Sequence, residues 1–141
     1  MRFLLDTNVA SEFWKAARGA AEARVVDWAA AAVPESLYLS VITILELEIG
    51  LLLLERRDPV QARPMRYWFE QLVLNEFAGR ILPVDLPIAR QCAILHIPNR
   101  KPERDSLIAA TALVHDMTVV TRNVRDFECT GARILNPWLS A

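Results

Sequence analysis

The sequence predicts a single α/β domain built on a parallel sheet, and three observations carry that prediction. Short apolar runs alternate with longer helical patterns along the chain, the order that builds a parallel sheet. Hydrophobic residues make up 53% of the 141 positions, enough for one core and for a sheet covered on both faces. No internal repeat, low-complexity tract or linker interrupts the chain, so 1–141 reads as one domain.

The elements follow in order. Arg2 to Leu5 is a short buried strand. Thr7 to Lys15 and the alanine-rich Ala20 to Ala32 are helices, the second ended by Pro34. Leu37 to Ser40 is a second strand, and Thr43 to Arg56 a helix. Asp58-Pro59 marks a break. Val60 to Ala78 is helical with a kink or break expected near Pro64, and Gly79 fits its C-terminal cap. Arg80 to Val84 is a third strand, and Pro87 to His96 a helix with proline near its start. A polar loop, Asn99 to Glu103, leads into the helix Asp105 to His115. Thr118 to Thr121 and Arg133 to Leu135 are the last strands.

Composition narrows the function classes. A net charge of −1 excludes a basic nucleic-acid coat, so any RNA or DNA contact needs a local patch. Cys92 and Cys129 fit neither a zinc spacing nor a disulfide framework. With no charged-then-apolar leader before the first strand, they suggest reduced thiols in a cytoplasmic protein. Leu37 to Leu54 approaches membrane length, but Glu46 and Glu48 interrupt it. It reads as a strand and a helix, with no membrane partner. Phosphate-cradling glycine loops and a serine nucleophile elbow are absent. His96 and His115 form no metal-ligand pair, and His115 suits a helix C-terminus.

Four acids stand where strands feed helices or helices begin: Asp6, Glu46, Asp105 and Asp126. In a parallel sheet these places lie beyond the carboxyl ends of the strands, where ligands bind. Converged carboxylates repel one another, and hard oxygen donors favour Mg²⁺ or Mn²⁺. Each acid also has a plainer reading. Asp6 suits an N-cap. Thr43 to Glu46 could form a capping box. Asp105 suits the first-turn dipole, and Asn123 to Asp126 could cap a turn. At about 100° per residue, Glu48 falls near Glu55 on a face that suits solvent, whereas Glu46 falls among Ile49, Gly50 and Leu53. The plainer readings do not require all four acids at one edge. Around them, Thr7, Asn8, Ser40 and Thr43 could hold carboxylates or waters. Arg100, Lys101, Arg104, Arg122 and Arg125 could grip phosphates or simply face solvent. Trp14, Trp28, Trp68 and Trp138 suit a core or an interface rather than base stacking.

Four motifs carry a resemblance: L-L-D-T-N at Leu4–Asn8, S-x-x-T-x-x-E-L-x-x-G at Ser40–Gly50, D-S-L-I-A-A-T-A at Asp105–Ala112, and T-R-N-V-R-D-F at Thr121–Phe127. In this order they resemble PIN-domain toxin ribonucleases of the VapC and FitB branch of bacterial toxin–antitoxin systems. F-A-G-R-I-L-P at Phe77–Pro83 and N-P-W at Asn136–Trp138 are similar to FitB. The likeness spans nearly the whole chain. It implies a three-layer fold, a twisted parallel sheet of four or five strands flanked by helices. It also implies an Mg²⁺- or Mn²⁺-dependent endoribonuclease whose acids match Asp6, Glu46 and Asp105. The fourth place varies among relatives. Asn123 offers only a neutral oxygen, so Asp126 is the expected acid and Asn123 an orienting partner. Relatives often have a small residue where this chain has Arg104.

The expected chemistry is metal-assisted hydrolysis of an RNA phosphodiester with water as nucleophile. The resemblance further implies a small DNA-binding antitoxin as partner, with Leu51 to Leu54 and Tyr67, Trp68 and Phe69 as an apolar groove for it or for a homodimer. Two alternatives differ in class. A haloacid-dehalogenase or receiver-like phosphatase expects D-x-D, and Asn8 fills the second place. A catalytically weak or inactive PIN scaffold would act through its antitoxin- and DNA-bound complex, and the retained acids argue against it.

Overall fold

The computed structural model describes residues 1–139. Its strands are β1 (Phe3–Leu5), β2 (Leu37–Ser40), β3 (Ile81–Leu82), β4 (Thr118–Val120) and β5 (Arg133–Leu135). They form one sheet in the order β3-β2-β1-β4-β5, every pair parallel. The helices are α1 (Thr7–Ala17), α2 (Ala23–Ala31), α3 (Val41–Arg57), α4 (Pro59–Tyr67), the short α5 (Leu74–Glu76), α6 (Leu86–Leu95) and α7 (Glu103–His115).

The two-residue period of the strands separates two cores. Leu5, Leu37, Leu39 and Val120 pack on one side with Val9, Leu47, Leu51, Trp68 and Phe69. Leu4 and Val119 face the other side, against Ile88, Cys92, Ile108 and Ala109. The layers are therefore α1–α5, sheet, and α6–α7. Leu4, Leu5, Leu39, Val119 and Val120 are fully buried, each stabilising the fold by roughly 1.5–3 kcal/mol. All four tryptophans pack in or against the first core, as expected. No helix among the described residues is long and apolar enough to cross a membrane.

Several boundaries differ from the sequence expectation. Strand β3 holds two residues rather than five, because Pro83 has no N–H to continue the ladder. Pro64 does not break its helix. It lies inside α4, and the chain continues through a π-helical turn, Trp68–Val73, into α5. The hydrogen-bond register widens after the proline instead of ending there. Gly79 has φ +81, the left-handed conformation that ends this run. Helix α3 starts at Val41, two residues earlier than expected. Ser40 is its N-cap, its Oγ accepting from Ile42 N at 3.0 Å. That removes the capping-box reading of Thr43 and Glu46 and makes Ser40 a cap rather than a holder of carboxylates.

Candidate active site

Helix α1 begins directly after β1, and Asp6 is the hinge between them. Its backbone N–H extends the sheet by donating to Val120 O at 2.9 Å. Its side chain is 5% exposed and accepts three hydrogen bonds. Oδ1 takes Thr7 N at 2.8 Å, and Oδ2 takes Thr121 Oγ1 at 2.8 Å and Asn8 Nδ2 at 3.2 Å. Asp6 is thus an N-cap that remains a candidate site residue. The two readings of this position are compatible.

The same edge holds the other acids. The Thr7 hydroxyl donates to Glu46 Oε1 at 2.8 Å and lies 3.2 Å from Thr43 Oγ1, joining α1 to α3. On the opposite side of Glu46, Arg104 NH1 stands 3.7 Å from Oε2. Asp105 is the third residue of α7, and Asp126 ends a 3-10 turn, Val124–Asp126. Burial, reinforced by the charges of Asp6, Asp126 and Glu46, raises the pKa of Asp105 to about 6. Burial likewise raises Asp6, opposed by its bonds from Thr121 and Thr7 and reinforced by Glu46 and Asp126. Among the described residues, no three Asp, Glu, His or Cys side chains form a ready-made metal cage.

The expected surroundings are partly redrawn. Asn8 and Thr7 hold carboxylates as expected, and Thr43 reaches the network through Thr7. Asn8 also accepts from Arg122 N at 3.3 Å. The Asn123 side chain makes no cap bond, while its backbone N–H donates to Thr121 Oγ1 at 2.9 Å. Arg100 pairs with Glu103 at 3.8 Å, both highly exposed. The Arg122 guanidinium lies 5.5 Å from the centre of the Trp138 ring.

The expected face of Glu48 is corrected. It is not simply solvated: Glu48 and Glu55 both grip Arg66 of α4, at 2.9 and 2.6 Å. The face of Glu46 is apolar, as expected, and it is open: Leu53 is 61% exposed and Gly50 is at the surface. The expected groove divides too. Leu51, Trp68 and Phe69 are core, whereas Leu52, Leu53 and Tyr67 are more than half exposed.

One residue bonded to the candidate site was not singled out from sequence. Thr121 is fully buried, donates to Asp6 and accepts from Asn123 N. A threonine ending an apolar strand looks like ordinary β-propensity. The signal was that two parallel neighbours are each followed directly by a polar residue: β1 by Asp6 and β4 by Thr121.

The chain matches known proteins along nearly its full length. Residues 3–131 match the PIN domain family. The chain is 41% identical to the VapC ribonuclease Y4jK of Sinorhizobium fredii and 39% identical to the toxin FitB of Neisseria gonorrhoeae. Each alignment covers 96% of this chain and at least 96% of the relative. The crystal structure of FitAcB from Neisseria gonorrhoeae superposes with a TM-score of 0.88 at 37% identity, covering 98% of this chain and 99% of that one. The toxin–antitoxin complex from Klebsiella pneumoniae shares the fold, with a TM-score of 0.69 at 24% identity over 95% and 96% of the two chains. With its five parallel strands, its two helical layers and its acids at one sheet edge, the chain belongs to the PIN-domain family, in the VapC and FitB branch.

Proposed function

We propose that this chain is a divalent-cation-dependent endoribonuclease and the toxin of a toxin–antitoxin pair. The observation that carries the reading is the placement of Asp6, Glu46, Asp105 and Asp126, from four separate stretches of the chain, where strands end or helices begin, with the Thr7 N–H on Asp6 and the Thr7 hydroxyl on Glu46. The donor set fits Mg²⁺ or Mn²⁺, since every candidate ligand is a hard carboxylate oxygen. Crowded acids whose charged forms disfavour one another gain most from a cation among them. Asp126 is exposed and Glu46 half-exposed, so both side chains have room to close on an ion.

Asp6, Glu46, Asp105 and Asp126 would hold the cation. When bound, it supplies a water of lowered pKa and stabilises charge on the scissile phosphate. The chain's own residues do the rest. Thr121 and the Thr7 N–H fix both oxygens of Asp6. The Thr7 hydroxyl fixes one oxygen of Glu46. Asn8 bridges Asp6 to the Arg122 backbone and so ties the substrate rim to the acids. No Ser or Cys nucleophile is needed, and neither Cys92 nor Cys129 is among these residues.

The partner reading rests on surface and relatives together. Leu52, Leu53, Val60 and Tyr67 are exposed apolar residues on α3 and α4. They suit an apolar antitoxin segment or a second copy of the chain. The relative FitB of Neisseria gonorrhoeae, 39% identical, is a toxin.

The test is Asp6→Asn. Cleavage of RNA by purified wild-type protein should require Mg²⁺ or Mn²⁺ and stop with chelator. The variant should lose on the order of 100-fold or more while keeping its fold. Expression of the wild-type chain alone should arrest bacterial growth, and expression of the variant should not. Wild-type cleavage by Asp6→Asn, or arrest caused by it, would sink the nuclease account.

A further inference from the structure

Among the described residues, Arg104 is the one basic side chain within ion-pair distance of any of the four carboxylates. We infer that Arg104 is a built-in counter-ion that holds Glu46 while the cation is absent, gives it up when the cation binds, and then pairs with a phosphate of the substrate. The inference rests on the divalent-cation reading above and adds a positioning role for a residue of this chain.

The geometry sets up the exchange. Both oxygens of Glu46 are engaged: Oε1 accepts from the Thr7 hydroxyl at 2.8 Å, and Oε2 faces the Arg104 guanidinium at 3.7 Å. The Thr7 bond is neutral and compatible with a cation on the same carboxylate. The Arg104 contact is not. A guanidinium and a divalent cation at one carboxylate repel each other, and the cation carries twice the charge. The arginine is the partner free to leave. Its side chain is 53% exposed, and at 3.7 Å its contact is looser than the 2.6 Å grip of Arg66 on Glu55. An exposed pair of this kind is held weakly.

Where it goes follows from its place in α7. Arg104 is in the first turn, directly before Asp105, so it cannot move far from the acids. A released guanidinium stays at their rim, where a phosphodiester meets the site. There its planar fork suits phosphate oxygens as it suited the carboxylate. Arg100 and Lys101, the nearest basic neighbours in sequence, are tied to Glu103 at 3.8 Å and Asn99 O at 3.5 Å, away from the carboxylates. Arg104 thus exchanges one anion for another without adding positive charge next to a bound cation.

The experiment is Arg104→Gln, with Arg104→Lys beside it and wild type as reference. Metal affinity is read by calorimetric titration of the RNA-free protein with Mn²⁺. Substrate recognition is read from cleavage kinetics at saturating metal. The expected result has two opposite signs. Arg104→Gln should bind Mn²⁺ roughly two- to five-fold more tightly, the worth of an exposed ion pair removed. It should also raise KM for RNA with kcat little changed, and lower the salt slope of log(kcat/KM) by about 0.7 for one lost phosphate contact. Arg104→Lys should lie between the two. Circular dichroism and a melt check that the variants fold. Unchanged or weaker Mn²⁺ binding by Arg104→Gln overturns the counter-ion role, and an unchanged KM overturns the phosphate role. A wild-type protein that binds no Mn²⁺ defeats the divalent-cation reading itself, a separate outcome from either.

Discussion

Glu46 and Glu48 stand two residues apart on α3 and belong to opposite kinds of cluster. Glu48 and Glu55 share the guanidinium of Arg66, which also reaches Glu70 at 3.2 Å. There a strong planar cation satisfies carboxylates directly. The Arg66 hydrogen bonds lower the pKa of Glu55, and Glu55 in turn raises that of Arg66. Glu46 has a neutral hydroxyl at 2.8 Å and a loosely held arginine at 3.7 Å, and its charge helps push Asp6 and Asp105 upward. One cluster is closed and ties α3 to α4. The other is left with excess negative charge at a sheet edge. A fold tolerates that excess where a ligand is to remove it.

The widest break in the comparison should come from amides at the two glutamates. Glu46→Gln should cut RNA cleavage on the order of 100-fold with little change in melting, because it removes a site charge. Glu48→Gln should leave cleavage near wild type, because its loss is felt between α3 and α4. Both variants in one cleavage assay decide the matter. Equal losses would mean that the Arg66 network also supports catalysis.

A smaller effect tests the fourth position. Asp126 bears on Asp6 and Asp105 through its charge, whereas the Asn123 side chain is not engaged in a cap. Asp126→Asn should therefore weaken Mn²⁺ binding about 10-fold, and Asn123→Ala by less. The reverse order in calorimetry would assign the ligand place to Asn123.

The two clusters should also differ in the sign of their pH dependence. The Asp105 pKa is raised from 3.8 to about 6, so the unfolded chain gives up its proton before the folded one does. Its contribution to stability is complete below pH 3.8 and is lost as pH rises through about 6. Discounted for solvent screening of a half-exposed group, the loss is on the order of 1–2 kcal/mol. Metal-free Asp105→Asn should consequently be more stable than wild type at pH 7.5 by that amount, and saturating Mn²⁺ should erase the difference. A variant no more stable at pH 7.5 in urea melts would show that the acids do not strain the metal-free fold.

Much of this contrast was legible in the chain. Parallel strands were readable from short apolar runs such as Leu37–Ser40, because a strand buried on both faces needs no alternation. The acids were readable because they sit at strand and helix junctions. What escaped depends on partners remote in sequence. The face that could be solvated, shared by Glu48 and Glu55, is partly open as expected, but its ion pairs were not legible, since Arg66 comes from another helix. Thr121 matters only because it stands beside Asp6, and that adjacency is set by the β1–β4 pairing. A kink or break was expected at Pro64 because the local rule counts one lost hydrogen bond, and the chain stays helical through it. That rule cannot foresee that Trp68 and Phe69, buried in the core, hold the helix together through a widened turn.

The smallest expected effect concerns the closed cluster alone. Glu55 has a lowered pKa, so its pairing stabilises the fold above the unfolded value of 4.5 and is lost as pH falls through the lower folded value. This is the opposite slope to that of Asp105. Arg66→Gln removes the shared cation and should lower the melting temperature at pH 7 by a few degrees, roughly 2–5 °C. The deficit should shrink as pH falls below 4.5 and Glu55 protonates. RNA cleavage at 25 °C should be unaffected, because Arg66 holds Glu48 and Glu55 and none of the four site acids. A thermal melt series from pH 2.5 to 7 reads the slope directly. A deficit that stays constant across the series would mean that Arg66 acts through the packing of its aliphatic stem between α3 and α4 rather than through its charge.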